Sequence, residues 1–525
     1  MKSKKKAAKA ERLEEVPAGA LGEWAPFALH PLRLETPRTW YPFVSTWAAG
    51  SSRVWWETLT ATPMELSAAW HTGEKKTKPD KDAATLQKAL VREVRAAEQQ
   101  AKAKGALFQW QAEARPATEF LKSTRTGFVR RYTWDGRAGW LAILALSAGT
   151  RRALVSISVC PSAYAKNAEG EVRRLLNSIA LAAPDEPARL CFAGLEAAFP
   201  PEFELTNVRG REGQCFAEAR TKKKRAGLAR LSFAEFYLAA AGPEKTWTNL
   251  ARLLFDRGEV SDPLTTNVGG QIPFLKAHPE LAEAEAGTPV MEIHGHKGSQ
   301  VFERRRAHIK AGDWLMRRLG RPAAGGAAGL AWSCSESHAI WAVSARTGAS
   351  DPRPTVRALA DGVRCHETST PDWSAYIERE VEAPKAAPEP KAAAANPKAP
   401  VRPDVQRRGQ LTFKIQVNPE VRIEASKKDN TCRLVYPVPP PNGFIARALR
   451  GGSEAKTLWK PLDLDPLGRK AWELLSAEKS MRVADLVRGM SDAFAAHPVE
   501  TFPKLLLFLR MLGERGLVQS AEPKK

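Results

Sequence analysis

The chain of 525 residues has no run of about 18 uncharged apolar residues, so it offers no candidate transmembrane helix. Its longest apolar stretches, such as "GWLAILALSAG", stop well short. Cysteine is scarce and dispersed: Cys160, Cys191, Cys215, Cys334, Cys365 and Cys432 include no CxxC pair. That spacing argues against a zinc ribbon, and so few cysteines argue against a disulfide scaffold in so long a chain. Free, mostly buried thiols are expected. The opening "MKSKKKAAKAERLEEVP" is basic with no apolar segment behind it, unlike a secretory signal. Residues 1–19 therefore read as a solvated basic tail, and the chain as cytoplasmic. Also missing are GxxxxGK[ST], a GxGxxG after a strand, HExxH and GxSxG. Nothing in the sequence points to an enzyme, and no cofactor is expected.

What is present is enough apolar material for real cores: 43% hydrophobic residues, with 16 Trp and 19 Phe. The length suggests about three units. A formal charge of +22 invites a nucleic-acid reading. Lys and Arg are scattered through every segment, however, a pattern common in GC-rich bacterial genomes. Local runs such as "KSKKK", "EKKTKPDKD" and "TKKKRAG" read as tail or loops.

One boundary is plain. "EAPKAAPEPKAAAANPKAPVRP" has no aromatic residue and cannot bury a core, so 381–404 reads as an extended spacer. Before it lies an internal repeat. The stretch from Trp24 ("WAPFALHPLRLETPRTW…") and the stretch from Leu190 ("LCFAGLEAAFPPEFELT…") each give two short strands, then an aromatic-rich hairpin. Further on, "RAGWLAILALSAGTRRALVSISVC" matches "AAGLAWSCSESHAIWAVSA", and the helix "EGEVRRLLNSIAL" matches "RPTVRALADGVRC". The expected class is α+β: two tandem antiparallel-sheet-plus-helix modules, 20–187 and 188–380. This element order loosely resembles a duplicated PsbP-like fold.

Chemistry is hard to find in that part. His294 and His296 in "MEIHGHKG" lack a third ligand at suitable spacing, and a turn is the favoured reading. Cys334, Glu336 and His338 alternate in "WSCSESHAIW", as a nucleophile–base pair on a strand would. Ser-Glu-Ser-His is nevertheless what a hairpin turn looks like. Cys365 and His366 sit at a helix end. No metal site is expected from these residues.

After the spacer, "LTFKIQV", "VRIEA", "CRLVYPV" and "KTLWKPLDL" alternate as strands. Asp465 and Pro466 then suit a helix start. Ser480 reads as the cap of a second helix with Val483, Leu486, Val487 and Met490 on one stripe. A third helix ends at Gly516. Strands running into three such helices make a small winged-helix domain, 405–520, followed by a tail, 521–525.

The pattern Leu464, Asp465, Gly468 and Trp472, then Val483 and Leu486, then Leu512, Arg515, Gly516 and Leu517 resembles the PqqD family of coenzyme PQQ synthesis. In that family a "DG" usually separates the first two helices; here "SAEKS" stands in its place. The resemblance implies a peptide-binding accessory protein, its partner a ribosomal precursor peptide or the enzyme that modifies one. The peptide would add as a strand beside the last helix. On this chain the implied contacts are Leu458, Trp459, Lys504, Leu507, Arg510 and Met511, whose cations suit an acidic peptide. The alternative is a winged-helix nucleic-acid-binding protein, its reading helix carrying Arg482 and Arg488.

Overall fold

The computed structural model describes residues 24–48, 50–72, 79–103, 108–116, 126–134, 137–159, 168–211, 213–232, 290–304, 326–334, 336–347, 352–365, 372–382, 403–425, 432–438, 458–464 and 466–521. Period-two burial explains the strands. In Ser51–Glu57, Ser52, Val54 and Trp56 turn inward between more exposed neighbours. In Arg151–Val159 every second side chain is buried, the mark of a strand with one packed face.

The first half runs β1 (Trp24–Leu29), β2 (Leu32–Pro37), β3 (Tyr41–Ala48), β4 (Ser51–Glu57), β5 (Met64–Thr72), α1 (Pro79–Ala103), β6 (Phe108–Pro116), β7 (Thr126–Trp134), β8 (Arg137–Ala148), β9 (Arg151–Val159), α2 (Ala168–Ser178) and β10 (Ala180–Leu181). The second runs β11 (Ala188–Phe192), β12 (Leu195–Phe199), β13 (Glu204–Arg211), β14 (Gln214–Arg220), β15 (Lys224–Ser232), β16 (Val290–Ile293), β17 (His296–Arg304), β18 (Gly326–Cys334), β19 (Ala339–Thr347) and α3 (Arg353–Asp361).

Fourteen of these strands make one sheet. From its centre it reads β3-β4-β5-β9-β8-β7-β6 in one direction and β13-β14-β15-β19-β18-β17-β16 in the other. A five-stranded sheet, β10-β2-β1-β11-β12, is likewise symmetric about the β1–β11 pair. Even the segment after α3 lies beside β12, through an Ala197–Val363 bridge, as β10 lies beside β2. The two halves are thus related by a pseudo-twofold axis through both sheets.

The expected α+β class of two separate sheet-plus-helix modules is overturned. Among the described residues strand outweighs helix, and one large antiparallel sheet runs through both halves. The cause is at the axis. Strands β3 and β13 pair edge to edge (Gly210 with Val44), so the two sheets merge. Beside that pair the Gly213 N–H donates to the Tyr41 hydroxyl at 3.1 Å. The five-stranded sheet packs on the same spot: a Cβ at Gly210 would stand 2.7 Å from the Phe192 ring.

The remaining elements are α4 (Trp373–Glu382), α5 (Pro403–Thr412), β20 (Lys414–Val417), β21 (Arg422–Ala425), β22 (Cys432–Val438), β23 (Leu458–Leu464), α6 (Pro466–Ala477), β24 (Met481–Arg482), α7 (Val483–Ala493), α8 (Pro498–Glu514) and β25 (Val518–Ser520). They form two small sheets, β24-β20-β25 and β21-β22-β23, with the helices. Residues 481–482 pair with 414–415, so α7 starts at Val483 with Arg482, not Ser480, as its N-cap. Gly516, left-handed at φ 70°, closes α8 before β25. Position 465, the expected cap of α6, lies outside the described residues, as does most of the spacer.

Helix α4 brackets this C-terminal part to the large sheet. The buried Glu380 carboxylate accepts from the Thr58 hydroxyl at 3.2 Å and the Thr60 N–H at 3.0 Å. The Leu59 N–H donates to Tyr376 at 2.9 Å. On the other face of α4, Arg482 pairs with Glu378 at 2.6 Å and Arg488 donates to Ser374 at 3.4 Å. One apolar core runs from Phe27 through Trp341 to Leu512. Among the described residues no helix is long and apolar enough to cross a membrane.

Candidate functional site

The strand singled out by the sequence, β23, is an edge strand. It pairs antiparallel with β22 from Cys432–Leu464 to Val438–Leu458 and has no strand on its other side among the described residues. Alternation sorts its side chains. Leu464 is buried on the face of Leu434 and Tyr436, whereas Trp459, Pro461 and Asp463 share the opposite, exposed face. There Arg433 holds Asp463 at 2.7 Å, and the Arg422 guanidinium lies 4.5 Å from the centre of the Trp459 ring, a cation–π contact. Trp459 remains 41% exposed and Ile423, on β21, 60%.

Pro461 decides which backbone groups the open edge presents. A proline has no N–H to give to a ladder and is tolerated on an edge strand with its nitrogen facing outward. In the register Val435–Pro461, that orientation turns the N–H groups of Trp459 and Asp463 outward as well, because in an antiparallel ladder alternate residues point the same way.

Lys504 lines a shallow apolar groove between α6 and α8, with Leu467, Gly468, Ala471, Leu505 and Phe508. The groove opens at the first turn of α6, three residues beyond the end of β23. Met511 is half-buried and packs on the core. Leu507 is 66% exposed, and Arg510 is exposed but pairs with Glu514 at 2.9 Å. The structure therefore sets Trp459 against Arg422, places Lys504 at the groove, and leaves Leu507 and Arg510 on the outer face of α8.

The helix proposed to read nucleic acid is covered. Arg482 pairs with Glu378 and Asp485, and Arg488 reaches Asp485 and Ser374. Both arginines hold α7 against α4.

A cavity of about 280 Å³ lies at the pseudo-twofold axis, which sequence reasoning did not anticipate. Its walls include Trp40, Tyr41, Phe192, Trp373, Arg230 and Glu500, so all three parts of the chain meet there. Arg230 and Glu500 are buried with their charges 4.0 Å apart. Arg230 donates to the Ala193 carbonyl at 3.0 Å, while its Nε and the Glu500 Oε2 have no partner among the described residues. Gly194 makes room, since a Cβ there would meet the guanidinium at 2.7 Å. His497 closes one wall: its Nδ1 accepts from the Val499 N–H, and its Nε2 lies 3.3 Å from the Arg38 carbonyl. Burial pushes its pKa down to about 3, so the ring is neutral.

The scattered thiols and imidazoles do not form one cluster. Burial pushes Cys191 and Cys215 up to about 12, which keeps both protonated. His296, Cys334 and Cys365, from three separate elements, come together with their ligand atoms within 4.8 Å of one another. His294 and His338 do not join them: His294 Nε2 lies 2.8 Å from the Ala360 carbonyl, and His338 sits in the β18–β19 turn against Phe494. Position 366 lies outside the described residues.

No family model and no curated protein matches the chain. Solved structures give distant likenesses. The cyanobacterial PsbP of Synechocystis is 11% identical over 32% of this chain and 98% of its own, with a TM-score of 0.22. The T6SS immunity protein TplEi of Pseudomonas aeruginosa, solved with an "L" peptide, is 10% identical over 66% of this chain and 99% of its own, with a TM-score of 0.24. A protein of Bacteroides thetaiotaomicron is 9% identical over 53% and 82%, with a TM-score of 0.21. A PsbP protein is thus among the similar structures, as the loose N-terminal resemblance anticipated. Scores this low carry no argument about fold or function.

Proposed function

We propose that the protein is a non-enzymatic, cytoplasmic binding protein that takes an extended segment of a peptide or protein along the outer edge of β23. The observation that carries this reading is the edge of β23, which has no partner strand among the described residues, with Trp459 exposed beside it. Main-chain hydrogen bonds to an added strand supply affinity, and pockets at alternate positions supply choice. Trp459 offers apolar contact, while Arg422, held over its ring, and Lys460 favour an acidic segment. The PqqD-like pattern of the helices supports the same mode, with a precursor peptide or its modifying enzyme as partner. The nucleic-acid alternative is weaker, because Arg482 and Arg488 are spent on holding α7 to α4.

The test is selection of a displayed peptide library on the full chain at low and high salt. Extended acidic peptides should be enriched at both. Trp459→Pro, which removes an outward N–H and the ring together, should abolish their binding while the far-ultraviolet spectrum stays unchanged. Binding that survives this substitution, or that disappears on raising the salt, counts against strand addition.

A further inference from the structure

We propose that His296, Cys334 and Cys365 bind one zinc ion, with a solvent molecule in the fourth position. The three donors come from places that local sequence never links: the first residue of β17, the last of β18, and the segment after α3. Their ligand atoms nevertheless converge within 4.8 Å. Tetrahedral zinc with bonds of about 2.3 Å to sulfur and about 2.0 Å to nitrogen needs donors roughly 3.5–3.8 Å apart. The convergence is compatible with that spacing, and two sulfurs with one imidazole suit a borderline-soft ion.

The surroundings of Cys334 suit a thiolate. Cys334 and Cys365 are buried, and the Ser337 N–H donates to the Cys334 sulfur at 3.2 Å from the turn that follows it. Two thiolates and a neutral imidazole balance a divalent cation, so the completed site carries no net charge into the interior. The imidazole is held in place indirectly. His294, two residues before His296, is fixed to α3 through the Ala360 carbonyl, and β16 and β17 pair right up to the turn, Ile293 with His296.

The pseudo-twofold gives an independent comparison. In the first half, the β8–β9 turn is tied to the segment after α2 by Arg151, which donates to the carbonyls of Ala182 and Ala183 at 2.8 and 3.1 Å. At the matching place in the second half, the β18–β19 turn meets the segment after α3 through Cys334 and Cys365, the Cys334 sulfur lying 3.5 Å from the Cys365 carbonyl. A guanidinium fastens one half; a metal ion fastens the other. Binding releases the two thiol protons, so affinity falls as pH drops.

The experiment is metal analysis of the full chain purified under reducing conditions from zinc-supplemented cells. One zinc per chain is expected, retained in Cys432→Ser and lost in Cys334→Ser, Cys365→Ser and His296→Ala. If those variants fail to fold, the wild-type chain decides alone: exchange of its metal for cobalt should produce thiolate-to-cobalt charge-transfer absorption, and chelation should lower its melting temperature. A metal-free wild-type chain, or zinc retained by all three variants, would overturn the proposal.

Discussion

His497 shows how much a single side chain can join. Its ring stands 4.7 Å from Trp373 and 5.2 Å from Tyr41, so it bridges α4, the large sheet and α8 while capping α8 through Val499. Burial pushes its pKa down to about 3. His30 is pushed down to about 4, by burial first and then by Arg151 and Arg33. In the unfolded chain both titrate near 6.5. Below that value the unfolded chain takes up protons that the folded chain refuses. Their contribution to stability is therefore complete above about pH 6.5 and declines as pH falls, by up to about 1.4 kcal/mol per pH unit for each histidine. The melting temperature should drop on acidification from pH ~7 toward pH ~4.5. His497→Asn, which keeps an N-cap acceptor, should flatten part of that slope. A slope unchanged by the substitution would mean that the ring is not held neutral.

At the scale of elements, Pro461 guards the edge proposed to take the added strand. An edge strand that offered every N–H would also pair with copies of itself. Pro461→Val adds one outward donor and a better strand former. It should leave the fold intact and increase self-association in sedimentation velocity. Unchanged sedimentation would argue that the edge of β23 is covered. Much at this scale was legible in the sequence. The short continuous apolar run "GWLAILALSAG" marks β8, which is buried on both faces, and Gly516 marks the end of α8. Ser480 misled because caps were read locally, whereas residues 481–482 are drawn into a strand by Lys414 and Ile415, far away in the chain. The edge position of β23 was legible only as a strand, because alternation says which face is buried and nothing about who stands alongside.

For the whole molecule, the repeat was visible in the order of its elements, but the merging of two sheets into one was not. That merger rests on β3 meeting β13 and on Phe192 settling over Gly210, contacts between residues with no local signature. Gly210→Ala tests the junction. The added methyl has no room beside Phe192, and overpacking of this kind costs about 1–3 kcal/mol. Urea unfolding should report that loss, and a shortened side chain at 192 should restore part of it. A neutral Gly210→Ala would show the two sheets free to separate at the axis. The same limit hid the axial cavity with Arg230 and Glu500 and the convergence of His296, Cys334 and Cys365: each is assembled from segments that only the folded chain brings together.

The claim on which the functional account turns is strand addition at β23, and residue-resolved amide hydrogen exchange tests it most directly. The full chain would be compared with and without a peptide selected from the displayed library. The account predicts new protection at the amides of Trp459 and Asp463, whose N–H groups face outward. Lys460 and Leu462, already bonded to β22, should change little. Protection confined to the α6–α8 groove or to the axial cavity, with Trp459 and Asp463 exchanging as before, would contradict it.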